Sequence, residues 1–324
     1  MNRKFNFDFA KNSKKYFTIS LVIFAIGIIC TLIFGVNLDI QFKGGTIITY
    51  LYDGEIDAAK FKETAEAALD GISVSVTTGT DFNTGKNNIQ LSLLSNVGLT
   101  ADKQIVLSDA IEEAYADNNI ELGESTDVSP SAGKTFFAKC IVAVIFSAIV
   151  LIIYIAVRFK NIGGWLAGLC AIIALLHDVF IVYTTFVVFR MDIDANFVAV
   201  VLTILGYSIN DTIVIYDRIR ENERIYHGKK TFAELVNMST NQSLTRSIHT
   251  LVTTIFAMAV VSIVAMVYGV TSIISFSFPM IIGLLSGTYS SVCIAAPLWI
   301  TIKNRADKGS SDKNNAEPAG EQPA

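Results

Sequence analysis

The sequence predicts a polytopic α-helical membrane protein: six transmembrane helices with an extracytoplasmic α+β domain of ferredoxin-like order. Three observations carry that prediction. Of 324 residues, 52% are apolar and 17% charged, and the mean hydropathy is +0.50, too apolar for an ordinary water-soluble chain. No Asp, Glu, Lys or Arg occurs from Tyr16 to Leu38, from Cys140 to Val157 or from Ser247 to Ile302, a last gap of 56 residues that accommodates two spans of ~20 each. One hydrophilic stretch, Asn37 to Gly133, is long enough to fold as a soluble domain, with sixteen acids against five lysines. A signal peptide followed by a soluble domain is excluded. So is an outer-membrane barrel, whose strands alternate instead of running apolar throughout.

The elements follow in order. Residues 1–16 form a basic amino terminus, with Arg3, Lys4, Lys11, Lys14 and Lys15 against Asp8. The first span is expected at 17–36 and stays as an anchor, because no small-x-small cleavage site follows before Asn37 and its ~20 apolar residues exceed a signal core. Five more spans are expected at 136–157, 162–189, 195–216, 247–268 and 273–302, together a transmembrane bundle over 136–302. Arg158 and Lys160 occupy the turn between the second and third spans, the loop at 217–246 holds six basic residues, and Lys303 and Arg305 follow the sixth. The positive-inside rule puts these segments and both termini in the cytoplasm.

Residues 37–133, with a net charge of −11, then face outward. Strands are predicted at 46–52, 72–78, 88–94 and 120–128 and helices at 57–69 and 101–116, the β-α-β-β-α-β order of a split βαβ fold. Residues 303–324 contain little to bury and are expected to be a disordered cytoplasmic tail. Cys30, Cys140, Cys170 and Cys293 fall in four separate apolar runs and read as packing residues.

Several strings resemble motifs. Gly133-Lys134-Thr135 ends like a nucleotide-binding loop, but Val128 stands where the first glycine belongs. Gly164-x-x-x-Gly168 and Gly283-x-x-x-Gly287 on the third and sixth spans are notches for close helix approach, expected to serve a partner protein. Pro279 and Pro297 are expected to kink the sixth span, with nearby Ser and Thr taking up freed backbone groups.

Ionisable residues inside the bilayer cost several kcal/mol, ~2.5–3.5 for an Asp at a helix centre, and so require a reason. Asp178, after His177, lies midway along the third span, and Asp211 lies near the inner end of the fourth. Arg246 and His249 open the fifth span. The fourth span runs inward and the fifth outward, so Asp211 and Arg246 are expected at similar depth, paired, with Asp211 able to carry a proton. The bland alternative is a buried interhelical pair that fixes packing; lone His177 and His249 favour it.

The run from Gly206 through Asn210, Asp211, Asp217 and Arg218 to Asn222 resembles the fourth-span signature of the SecF side of the SecD/SecF family of bacterial protein-export proteins. Phe42-x-Gly44-Gly45-Thr46 after the first span, His177-Asp178-Val179 in the third and Ser243-x-x-Arg246-Ser247 agree in order. The likeness spans residues 1–305. Gln41 departs from it, since members usually carry Asp there. The resemblance implies half of a resistance-nodulation-division type transporter in the bacterial cytoplasmic membrane, without enzymatic activity or a bound cofactor. Its coupling ion would be H+, or Na+ in its place, since carboxylates accept either. It implies as partners a SecD-like subunit, the SecYEG channel and unfolded exported polypeptide, with no nucleic acid. Carried onto this chain, Asp211 and Arg246 would serve proton flow, with Asp178 on the same pathway.

Two other readings compete. An intramembrane aspartyl protease would also need two carboxylates on adjacent spans, but the Gly-x-Gly-Asp motif resembling such enzymes is absent, and Ser208-Ile209-Asn210 precede Asp211. A non-catalytic assembly subunit would use the buried charges as structural glue.

Overall fold

The computed structural model describes residues 7–80, 85–93, 99–226, 228–268 and 270–315. Arg3, Lys4, residue 94 of the third expected strand and the tail from 316 lie outside them. Six described helical stretches are long and apolar enough to cross a membrane. They are α1 (Ser13–Phe34), α5 (Pro130–Arg158), α6 (Gly164–Val188), α7 (Ala195–Tyr226), α8 (Phe232–Val267) and a sixth stretch, Ser272–Arg305. That last stretch is built from α9 (Thr271–Ser290), a π-helical turn (Ser291–Ala295) and the start of α10 (Ala296–Asn315).

Burial sorts these helices into two classes. α6, α7 and the sixth stretch form the centre, while α1, α5 and α8 are mostly exposed. Residues such as Leu32, Phe146 and Phe256 on the outer helices point away from the protein, as expected where lipid is the solvent. At the basic end of the bundle Trp299 is fully buried, edge-on to Tyr216 and Phe232.

Both glycine pairs are consumed inside the chain, which corrects their expected role in partner binding. A Cβ on Gly164 would strike the Ala156 carbonyl of α5, and one on Gly283 would strike Ile204 of α7. Gly287 lets α9 approach Ser208. Spacing shows that a helix can be approached closely; it does not say by which neighbour.

Two boundaries also differ from expectation. Residues 217–246 are not a loop: α7 runs to Tyr226 and α8 begins at Phe232. Thr231 and Glu234 form a reciprocal capping box there, with Glu234 N–H donating to Thr231 Oγ1 at 3.3 Å and Thr231 N–H to Glu234 Oε2 at 2.8 Å, which fixes the helix start. Expected disorder from 303 is replaced by helix through Asn315. Extending a formed helix adds one hydrogen bond per residue without a new nucleus, and the next proline is Pro318. Pro297 does disturb the sixth stretch, as expected. It has no N–H for the carbonyl four residues back, and the ladder widens into the π turn immediately before it.

The soluble layer follows the predicted order. β1 (Gly45–Tyr52), α3 (Ala58–Ala68), β2 (Val74–Thr80), β3 (Asn87–Leu93), α4 (Ala101–Ala114) and β4 (Glu121–Val128) form an antiparallel sheet in the order β2-β3-β1-β4 with both helices on one face. Alternate residues Ile48, Tyr50 and Tyr52 of β1 lie opposite Leu91, Ile89 and Asn87 and pack with Phe61, Leu107 and Ile111 of the helices. The period of two is what made these strands legible.

The layer is fastened to the bundle by the Phe42-x-Gly44-Gly45 segment. Phe42, in the short helix α2 (Ile40–Lys43), is buried against Phe136 and Phe137 of α5, with ring centroids 5.6 and 5.1 Å away. Gly44 has φ +86° and abuts Pro130, and Gly45 has φ +148° and abuts the Leu93 carbonyl. Neither position has room for a Cβ, so both glycines are required by close approach as well as by backbone sign. Gln41 is exposed and its N–H donates to Asp39.

The linker is also clipped to the α6–α7 turn: Asp39 N–H donates to Ile193 O at 3.1 Å and Ile193 N–H to Asn37 O at 2.8 Å. Asp39, Asp192 and Asp194 meet there. Burial and its acidic neighbours push Asp39 above the usual carboxylate range despite the Gln41 bond. Burial and Asp194 do the same to Asp192, opposed by Lys43. An acid whose folded value is raised binds more protons folded than unfolded, so stability increases as pH falls through that window. Asp192→Asn should therefore raise the thermal midpoint more at pH 7.5 than at pH 4, where the native carboxyl is closer to its neutral form. Equal effects at the two pH values would contradict this account.

Candidate functional site

The buried polar groups of the bundle converge where α6, α7 and α9 meet. Asp178, on α6, is fully buried. Its Oδ1 accepts from Ser286 Oγ at 2.6 Å and faces His177 Nδ1 at 3.2 Å; its Oδ2 accepts from Ser208 Oγ and Ser290 Oγ, both at 2.7 Å. Ser286 and Ser290 lie one turn apart on α9, so a single helix face delivers both hydroxyls. Three hydroxyls donate to this one carboxylate and the His177 ring stands against it. That arrangement joins three helices through one side chain.

Asp211 is also buried, 3% exposed, but differently served. Thr288 Oγ1 donates to its Oδ2 at 3.2 Å. The network around Asp178 continues along α7 beside Asp211 without bonding to it. Ser208, which binds Asp178, offers its carbonyl to Ser291 Oγ at 3.1 Å and to Thr212 Oγ1 at 3.3 Å, and those two hydroxyls lie 2.8 Å apart. Ser291 begins the π turn, and π turns inside α-helices recur at functional sites.

Arg246 does not join this cluster. It is exposed, and among the described residues it makes no ion pair within 4 Å. The expected Asp211–Arg246 pair is therefore absent from this conformation. The inward-facing residue of α8 at that level is its neighbour Ser247: the opposed helix directions gave depth, but not the rotation of α8 about its axis. His249 is exposed as well.

The remaining signature residues divide by role. Asp217 pairs with Arg158 Nη2 at 3.0 Å and Arg220 Nη2 at 2.8 Å, tying α5 to α7 at the basic end. Arg218 bonds Gln242 of α8 at 2.6 Å and pairs with Glu221. Gly206 and Asn210 face outward, and a Cβ on Gly206 would meet nothing. The hydroxyls of Ser286, Thr288, Ser290 and Ser291 were not singled out from sequence, where nearby Ser and Thr were expected to serve proline-freed backbone. Their signal was Ser286-x-x-x-Ser290 on the helix that also carries Gly283-x-x-x-Gly287.

The family model described as protein export membrane protein SecD/SecF, C-terminal, matches residues 106–305. A protein translocase subunit SecF of Alicyclobacillus acidocaldarius is 35% identical over 96% of this chain and 98% of its own length. A SecDF subunit of Bacillus subtilis is 34% identical over 94% of this chain, which spans 39% of that longer protein. The crystal structure of SecDF from Thermus thermophilus superposes with a TM-score of 0.77 at 26% identity, covering 94% of this chain and 40% of that one.

Proposed function

The chain belongs to the SecD/SecF family of protein-export membrane proteins, and we propose that it is the SecF-type half of a Sec accessory complex. In this reading it works with a SecD-like subunit and SecYEG in the bacterial cytoplasmic membrane, both termini inside. Proton motive force assists late-stage export of unfolded polypeptide.

The observation that supports this best is the contrast between the two acids. Asp178, held by three serine hydroxyls and facing His177, is the fixed acid. Asp211, whose one hydrogen bond among the described residues is from Thr288 Oγ1 at 3.2 Å, with Ser247 and Arg246 near it but not bonded to it, is the exchangeable one, since a buried charge with so few partners is costly and a proton removes it. Arg246, exposed and unpaired nearby on α8, is the cation that an ionised Asp211 would draw inward. Proton uptake removes that attraction and lets α7, α8 and α9 shift. Moving one charge across the membrane provides ~2.3 kcal/mol per 100 mV, enough to bias two arrangements without nucleotide. The test is export from membrane vesicles given an imposed H+ or Na+ gradient separately. Completion that responds to H+ supports the reading, Na+ alone would reassign the ion, and response to neither would overturn ion coupling.

In the same reading the SecD-like partner packs against α7. Ala199, Thr203, Gly206 and Asn210 form an exposed stripe of small and polar residues along a membrane span, where a lipid-facing amide is unfavourable. Asn210→Leu should weaken the complex by about tenfold, the equivalent of one interhelical hydrogen bond of ~1–2 kcal/mol. Gly206→Leu should disrupt it more, by holding the backbones apart. Val260→Leu on exposed α8 is the control; co-purification of the partner with all three variants at the native level would refute this placement.

A further inference from the structure

At the basic end, α7 and α8 diverge around a groove of about 760 Å³. Four arginines line it: Arg218, Arg220, Arg224 and Arg246. Its acids are already committed, Asp217 to Arg220 and Arg158, and Glu221 to Arg218. Arg224 and Arg246 make no ion pair within 4 Å among the described residues, so two positive charges in one groove stand uncompensated. Val214, about one turn inside the apolar part of α7, lines the same groove, so the groove runs from the arginines to apolar helix surface.

We propose that this groove binds the phosphate of an anionic phospholipid, with Arg224 and Arg246 as its principal ligands. Guanidinium groups suit the site because their fork of donors matches phosphate oxygens two at a time. Basic pockets between membrane helices are the sequence-independent form of such head-group recognition. The apolar flank at Val214 favours a lipid over a free anion, and Arg224 remains in the groove even when an ionised Asp211 draws Arg246 inward.

Native mass spectrometry of the full chain in a neutral detergent, titrated with dioctanoyl phosphatidylglycerol, tests it. One lipid should be retained, and dioctanoyl phosphatidylcholine, whose choline cancels the charge, should bind more weakly. Arg224→Gln should weaken retention roughly fivefold, about 1 kcal/mol for one basic residue at the surface; Arg224→Gln with Arg246→Gln should weaken it roughly twenty-five-fold if the two act independently. Arg224→Lys keeps the charge and should retain most of the binding, which separates loss of charge from loss of fold. Equal retention by the native chain and the double variant would overturn the proposal, as would equal binding of the two lipids. Inorganic phosphate that binds as tightly as phosphatidylglycerol would reassign the groove to a free anion. Arginines protected in the assembled complex with no lipid retained would assign it to an acidic segment of the partner.

Discussion

Asp211→Asn is expected to abolish the gradient-dependent part of export while leaving the protein inserted and assembled with its partner. Asn has the size and reach of Asp and can still accept the hydrogen bond from Thr288 Oγ1, but it cannot exchange a proton. Loss of a potential buried charge should ease insertion, by the same few kcal/mol that made an acid in this span conspicuous. If the acid served only as glue, export would be near normal, or would fail together with assembly. The measurement is late-stage translocation in vesicles with an imposed proton gradient, with partner co-purification followed in parallel. Native gradient-dependent export from an assembled Asp211→Asn complex would remove Asp211 from the role of carrier.

Much of this architecture was legible because each signal had one physical source. Apolar length located the spans, and alternation located β1 and β3, whose inward residues Ile48, Tyr50, Ile89 and Leu91 recur every second position. Asp178 and Asp211 stood out because the bilayer makes an unexplained charge expensive. What stayed hidden depended on rotation and on the choice of neighbour. Arg246 and Ser247 are adjacent in sequence, yet one faces out and the other in. Gly283 and Gly287 were recognisable as notches, but only the fold shows that α7 fills them. The hydroxyls on Asp178 come from positions 208, 286 and 290; serine is common in membrane helices, so neither composition nor spacing assigns those three to one acid.

The same geometry predicts opposite outcomes for two substitutions of Asp178. Asp178→Ala removes the acceptor for three buried hydroxyls and the His177 contact at once. Each orphaned group carries a penalty of ~1–3 kcal/mol, partly recovered where a serine turns to a carbonyl of its own helix. Ser290 already has such an alternative, since its hydroxyl also lies 3.1 Å from the Gly287 carbonyl. The net expectation is destabilisation of about 3–5 kcal/mol, as when one partner is removed from a buried charge cluster, with α9 loosened from α6 and α7 and export lost through unfolding. Asp178→Asn keeps one carbonyl oxygen, which can accept from two hydroxyls, and its amide can donate to the oxygen of a third after that serine rotates. Thermal unfolding in detergent should therefore show a large drop for the Ala variant and a small one for Asn, and a folded Asn variant should retain gradient-dependent export. Complete loss of export from a folded, assembled Asp178→Asn protein would mean that the fixed, structural role of Asp178 is wrong and that the proton passes through the third span as well as the fourth.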